Sequence, residues 1–287
     1  MCAGGFVVLT PARCANLLRG NGTMKDYQSR RPARKTEETA SPIPENLVCG
    51  RNEMRELLAD GKTIDKVFVE RGEHAGSIGS LLEEVRNRKI PVVTVDRARL
   101  DAMTGGARHQ GIAAMVAERA YATIEDLLAV AAARGEPPFL LICDGVEDPH
   151  NLGAIIRSAE CMGAHGIIIP KRRSVGLTPV VAKASAGAIE HLPIARVTNL
   201  VAAMEQLKEA GLWIYAADMD GSPYDAADLT GAVALVVGNE GSGISRLVRE
   251  KCDFVLSIPQ YGCVNSLNVS NAAAILACEI ARQRHRR

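Results

Sequence analysis

The sequence predicts an α/β protein in two blocks, the larger one built on a parallel sheet. Three observations carry that expectation. Short apolar runs such as Phe139-Leu-Leu-Ile-Cys143 and Val233-Ala-Leu-Val-Val237 read as strands buried on both faces. Segments with apolar residues at helical spacing alternate with these runs to the C-terminus, as helices covering a parallel sheet do. A break rich in Gly and Pro, Gly135-Glu-Pro-Pro138, separates this stretch from a smaller set of alternating strands and helices.

Taken in order, residues 1–45 show weak periodicity and end in Ser41-Pro-Ile-Pro-Glu45, the pattern of a flexible leader. Met24 opens a second conventional start, so residues 1–23 read either as untranslated or as a tail. A first folded block over 46–118 follows. It begins with a helix over 46–58, then a strand over 65–69 and a helix over 78–88, with apolar residues at 78, 81, 82 and 85. A strand over 91–95, a short helix over 97–103 and a strand over 111–116 complete a small α/β sandwich. The joint, 119–138, contains one Ala-rich helix over 124–134.

The second block, 139–287, offers strands over 139–143, 166–169, 212–217, 233–237 and 254–258. Its helices are expected over 151–162, 200–210, 244–251 and 267–282. Ligands on such sheets gather at the carboxyl ends of the strands, and the unusual sequence of this block falls there.

Composition excludes several classes. The 287 residues are 47% apolar and 23% charged, ordinary for a globular chain. No apolar run approaches the roughly 20 residues of a membrane span, and Phe6-Val-Val-Leu9 lacks the basic flank of a secretory signal. The 8 cysteines show no CxxC spacing and no His at ligand distance, which predicts no metal site and reduced thiols in a cytoplasmic protein. Cys143, Cys161 and Cys278 sit in apolar runs and read as small hydrophobes. The net charge of +1 hides +3 over 1–45 and +4 over 281–287, leaving −6 for the middle, so any contact with nucleic acid needs local patches. Aromatic residues are only 3%, too few for base-stacking platforms. His150, His165 and His191 lack a nucleophile pattern, no GxSxG elbow exists, and GxGxxG is absent at every strand end.

Three constellations remain. Asp144-Gly-Val-Glu-Asp-Pro-His-Asn151-Leu-Gly153-Ala-Ile-Ile-Arg157 leaves a strand and opens a helix. There Asn151 reads as a cap or a site residue, Gly153 as a point of close approach, and Arg157 equally as a solvated or a functional cation. Gly238-Asn-Glu240-Gly-Ser-Gly243-Ile-Ser245 has the glycine spacing of a phosphate loop, but Ile244 replaces the Lys and Glu240 would repel phosphate. It reads as a turn whose backbone holds a less charged ligand, or simply as a tight connection. The third, Ile258 to Ala272, crowds Asn265, Ser266, Asn268, Ser270 and Asn271 where the last helix begins. That is more polarity than capping requires, although Ser266 alone could cap.

Together, in this order, the stretches 151–157, 238–245 and 266–271 resemble the three motifs of the SpoU (TrmH) family of RNA 2′-O-methyltransferases, within the SPOUT superfamily. The resemblance implies an α/β domain whose C-terminal segment is threaded into a deep trefoil knot. It also implies S-adenosylmethionine as methyl donor and dimerisation through the knot helices. Val48-Cys-Gly-Arg-Asn52, Arg108-His-Gln-Gly111, Lys171-Arg-Arg-Ser-Val-Gly-Leu-Thr178 and Lys183-Ala-Ser-Ala-Gly187 resemble the branch that modifies a guanosine of large-subunit (23S) ribosomal RNA. In that branch the first block is an RNA-binding domain similar to ribosomal protein L30e.

Carried onto this sequence, the resemblance places the donor around Ala217, Gly238, Ile258 and Leu267, and puts Arg157, Asn151, Glu240, Ser266 and Asn268 in the catalytic site. An arginine does not readily accept a proton near neutral pH, so Arg157 is expected to anchor phosphate and stabilise a developing alkoxide rather than act as base. Lys171, Arg172 and Arg173, otherwise a solvated loop, become a phosphate-contacting patch beside such a site. Two other readings stay open: the same chemistry on transfer RNA, and a non-catalytic ribosome-associated RNA-binding protein.

Overall fold

The computed structural model describes residues 46–72, 76–263 and 266–285. The expectations for the leader and for Asn265 lie outside these residues. The first block is a four-stranded sheet in the order β1-β4-β2-β3, from β1 (Leu47–Cys49), β2 (Ile64–Glu70), β3 (Val92–Val95) and β4 (Ile112–Val116). β4 runs antiparallel to β1 and β2, whereas β2 and β3 are parallel. Met54, Leu57 and Leu58 of α1 (Arg51–Ala59) and Leu81 and Val85 of α2 (Ser77–Asn87) pack on one face with Val67 and Ile112. Leu100 of α3 (Arg97–Met103) packs on the other with Phe68, Val95 and Ala113.

One expectation is corrected here. Leu47–Cys49 is a strand paired to β4, not the start of a helix. Gly50 turns the chain at φ 116, a conformation closed to side chains, so the helix cannot begin before Arg51.

Between the blocks, Glu118 N–H donates to Leu177 O at 2.8 Å and Ala122 bridges to Ala195. Thr123 and Asp126 then form a reciprocal capping box at the head of α4 (Ile124–Arg134), and left-handed Gly135 closes it. This helix buries Ile124, Leu127 and Ala131, packing on the second sheet so closely that a Cβ on Gly166 would lie 2.3 Å from Leu127 Cγ.

The second sheet has six parallel strands in the order β10-β8-β9-β5-β6-β7. They are β5 (Phe139–Cys143), β6 (Gly166–Pro170), β7 (Ile194–Val197), β8 (Trp213–Pro223), β9 (Val233–Val237) and β10 (Phe254–Ser257). Every residue of β5 and β9 is buried, which is why these strands read as unbroken apolar runs. α5 (Pro149–Cys161), α6 (Pro179–Ala184) and α9 (Val269–Arg284) cover one face. α4, α7 (Leu200–Glu209) and α8 (Arg246–Lys251) cover the other. The helices that follow the neighbouring strands β5 and β9 therefore leave toward opposite faces, and this opens a crevice at their carboxyl ends.

Several boundaries differ from the sequence reading. β7 and α6 were not anticipated: β7 is a four-residue edge strand containing Arg196, and α6 is six residues long, too short to show a period. α5 begins at Pro149 with Asp148 as its cap, so Asn151 lies inside the first turn. α9 is capped by Asn268, and Ser266 stands ahead of the helix without capping it. Gly153 accommodates α6 rather than a ligand, since a Cβ there would lie 2.4 Å from Ala184 Cβ. Cys143 is buried, its thiol pushed up to about 12 by desolvation, but Cys161 and Cys278 are exposed and are not core hydrophobes. Among the described residues there is no disulfide, no cluster of His, Cys, Asp and Glu able to hold a metal, and no helix long and apolar enough to cross a membrane.

Candidate active site at the carboxyl end of the sheet

The crevice between β5 and β9 is framed by two loops that hold each other. Asp144 Oδ2, just past β5, accepts from Ser245 N–H at 2.7 Å. Asn239, just past β9, donates from Nδ2 to Gly145 O at 2.8 Å, while its Oδ1 accepts from Gly241 N–H at 2.8 Å and Ser242 N–H at 3.2 Å. Asn239 and Gly243 also exchange both main-chain hydrogen bonds. The glycine turn thus spends most of its amides on itself, which removes the phosphate cradle its spacing suggested. Gly238 must be glycine for the same reason: a Cβ would stand 2.2 Å from Gly243 C. Sequence reasoning had singled out neither Asp144 nor Asn239. Asn in a glycine turn, favoured because its side chain bonds its own backbone, was the available signal.

Across this frame runs a side-chain relay joining the three motifs. Glu240 Oε1 accepts from Asn151 Nδ2 at 2.5 Å. Asn151 Oδ1 accepts from Asn268 Nδ2 at 3.0 Å. Asn268 Oδ1 accepts from Ser270 N–H at 2.9 Å and from Ser270 Oγ at 2.6 Å. The direction is fixed by chemistry. An ionised carboxylate only accepts, so Asn151 must present its amide NH2 to Glu240 and its oxygen to Asn268. The helix end offers only N–H, so Asn268 must present its oxygen there. Both amides keep one unused N–H, so the relay can orient a ligand oxygen without breaking.

Of the residues singled out from the sequence, Asn151, Glu240 and Asn268 are therefore brought into direct contact. Ser266 is exposed and makes no hydrogen bond to another described residue. Arg157 is exposed on the third turn of α5 and forms neither an ion pair nor a hydrogen bond with any described residue. It is a cation on the helix that carries Asn151, and it is not a link in the relay.

Ala217 lies within β8, Gly238 and Ile258 directly follow β9 and β10, and Leu267 stands just ahead of Asn268, the cap of α9. The ladder pairs Val255 with Ala216 but Leu256 with Ser222, so residues 217–221 bulge out of the sheet at Ala217. The main-chain groups of Gly238, Ile258 and Leu267 make no hydrogen bond to another described residue. Unused backbone donors and acceptors suit a neutral, hydrogen-bonding ring such as adenine.

The basic loop after β6 joins this region. Val175 N–H donates to Val146 O at 3.0 Å and Ser174 Oγ to the same oxygen at 3.2 Å, tying Lys171–Ser174 to the loop that leads into α5. Burial, then the neighbouring Arg196 and Lys89, pull the Lys171 ammonium below the usual lysine range.

Comparison with known proteins matches the family described as SpoU rRNA Methylase over residues 138–278. A second description, RNA 2′-O ribose methyltransferase substrate binding, matches residues 47–122. YacO of Bacillus subtilis, by name a TrmH family tRNA/rRNA methyltransferase, is 45% identical over 242 residues, 84% of this chain and 96% of that protein. The chain belongs to the SpoU (TrmH) family. It is accordingly an RNA methyltransferase, and a Staphylococcus haemolyticus relative with the same family name is 43% identical over 83% of this chain and 96% of its own. Among solved structures, the SpoU methyltransferase AviRb from Streptomyces viridochromogenes, in complex with the cofactor AdoMet, superposes with a TM-score of 0.54. It is 26% identical, covering 83% of this chain and 90% of that one. The relay thus joins the three stretches, 151–157, 238–245 and 266–271, that resemble the family's motifs.

Proposed function

We propose that this SpoU-family chain transfers a methyl group from S-adenosylmethionine to the ribose 2′-hydroxyl of a guanosine in 23S ribosomal RNA. The relay from Glu240 through Asn151 to Asn268, set beside unused main-chain groups, is the observation that carries the reading. The sulfonium donor, when bound, supplies an electrophilic methyl carbon. Ala217, Gly238, Ile258 and Leu267 hold its adenosine through main chain. Asn151 and Asn268 orient the ribose hydroxyl with their spare N–H groups, and Glu240 fixes Asn151. Ser266, ahead of the helix, contacts the nucleotide.

Arg157, unpaired with any described residue, grips the target phosphate and stabilises charge on the hydroxyl oxygen as its proton passes to that phosphate. Residues 46–118 recognise the RNA and 139–287 carry the chemistry, across the joint 119–138. The C-terminal segment threads as the family knot, and α9, with Ile275 exposed between Asn271 and Cys278, contributes a homodimer interface. The ribosomal guanosine assignment rests on the stretches 48–52, 108–111, 171–178 and 183–187.

Mapping 2′-O-methyl groups in ribosomal and transfer RNA with and without the gene tests this reading. Loss of one guanosine mark in 23S RNA is expected. Loss of a mark in transfer RNA instead would move the substrate, and loss of none would overturn the activity.

A further inference from the structure

A groove of about 400 Å³ separates the turn between α2 and β3 from the loop after β6. Its walls come from different blocks: Arg86, Lys89 and Ile90 on one side, Lys171, Arg172 and Thr198 on the other. Neighbouring cations are neutralised. Arg88 pairs with Glu84, and Arg196 pairs with Asp65 at 2.5 Å. Arg86, Lys89, Lys171 and Arg172 form no ion pair with any described residue. Burial first, then Arg196 and Lys89, disfavours the charged form of Lys171, so that wall already carries an excess of positive charge. Like charges held together across a cleft are stabilised only when an anion lies between them.

The backbone shows the same preference for charge over ease. Lys89 sits at φ 54, where the chain leaves α2 through its N–H to Arg86 O and that of Ile90 to Val85 O. Arg173, beside the opposite wall, sits at φ 55. These are left-handed positions that favour glycine, yet both carry a basic side chain.

A buried junction ties together the blocks that supply the two walls. Arg196 and Asp65 side chains are 5% and 2% exposed, and Tyr121 donates its hydroxyl to Asp65 Oδ1 at 2.6 Å. The same Tyr121 oxygen accepts from Leu177 N–H at 3.0 Å, and Arg196 reaches Lys171 O at 3.4 Å. The strand carrying Asp65 belongs to one wall's block, and Lys171 forms the other wall. The loop after β6 in turn is bonded to the loop entering α5, the helix that carries Asn151.

We infer that this junction groove binds consecutive phosphates of the RNA strand that runs out of the active site, so that both blocks grip one backbone. The inference rests on the RNA-methylating reading above and adds a site to it. Among the described residues no aromatic side chain lines the groove, so it contacts the phosphodiester chain rather than stacked bases. Contact there is tolerant of sequence and dependent on salt.

The test is binding of a short mixed-sequence single-stranded RNA to the full chain, by fluorescence anisotropy over a range of salt. For R86A with K89A, and separately for K171A with R172A, the slope of log affinity against log salt should fall by about 0.7 for each charge removed. K62A with R134A, exposed cations away from the groove, should leave the slope nearly unchanged. K89G separates fold from function: glycine suits the left-handed turn, so melting temperature should hold or rise while RNA affinity drops. An unchanged slope in either groove pair, an equal fall in the control pair, or K89G binding RNA like the parent would overturn the proposal. If the parent binds neither S-adenosylmethionine nor methylates RNA, the underlying reading fails instead; a parent that does both with unaltered groove variants sinks the groove alone.

Discussion

The relay and the junction groove are both polar and close along the same loops, yet they are built in opposite ways. In the relay every side chain has its partner in the chain itself, from Glu240 through Asn151 and Asn268 to Ser270. In the groove the side chains of Arg86, Lys89, Lys171 and Arg172 have none among the described residues. A satisfied network fixes positions and contributes geometry, whereas unpaired cations await a polyanion and contribute affinity. Arg157 belongs with the second kind by charge, and it shares α5 with Asn151 of the first. Reaction rate should therefore follow the relay and Arg157, and salt dependence should follow the groove.

The largest break in that division is expected at Arg157. R157A should lower the methylation rate by roughly two to four powers of ten, the usual cost of deleting a charge-stabilising group, while donor affinity measured by calorimetry stays within a few-fold. R157K should recover little, because a point charge does not reproduce a planar fork on phosphate and ribose. Loss of donor binding in R157A would mean that Arg157 serves the donor pocket and not the RNA.

Gly238 should show the reverse pattern. A Val side chain would collide with Gly243 and Ile244 in its own turn, so G238V should lose donor binding and also melt earlier by circular dichroism. Intact donor binding in G238V would separate the turn from the donor site. Next comes E240Q, which keeps an acceptor oxygen for Asn151 but removes the charge. A fall of roughly tenfold in rate with little change in RNA affinity is expected, in line with about 1.5–3 kcal/mol for a charge-assisted hydrogen bond reduced by its exposure. A salt-dependent RNA defect in E240Q would merge the two regions.

The smallest effect is a titration remote from both. His165 Nδ1 accepts from Phe139 N–H at 2.9 Å while Nε2 faces Glu136 at 3.1 Å, so the ring is neutral with its proton on Nε2. Burial lowers its pKa, with Glu136 opposing in part. The unfolded chain then takes up a proton near pH 6.5 that the folded chain refuses, so stability falls as pH drops through that value. NMR should find the His165 ring titrating below the ordinary histidine range. Titration at or above that range would contradict the burial argument.

How much of this was legible in the sequence depended on which force acts locally. Buried parallel strands announce themselves because both faces are apolar, as β5 and β9 did. Leu47–Cys49 and β7 did not, since edge strands bury less and their partners lie far along the chain. Asn151, Glu240 and Asn268 stood out by composition, but their mutual contacts span 89 and 117 residues and no local pattern encodes them. Cys161 and Cys278 misled because an apolar neighbourhood in sequence does not say which side of a helix faces the sheet. The junction groove was half visible: Lys171–Arg173 is a basic run, but Arg86 and Lys89 join it only once Asp65 has met Arg196.

The central claim is that the three motifs act as one unit through the relay. A double-mutant cycle on Asn151 and Asn268, read as single-turnover methylation with saturating donor and RNA, measures this directly. Each of N151A and N268A should slow the reaction, and the double variant should be little slower than the worse single variant, because either change already severs the chain. Losses that simply multiply would show that Asn151 and Asn268 act independently, and the relay would then be a structural contact without a catalytic role.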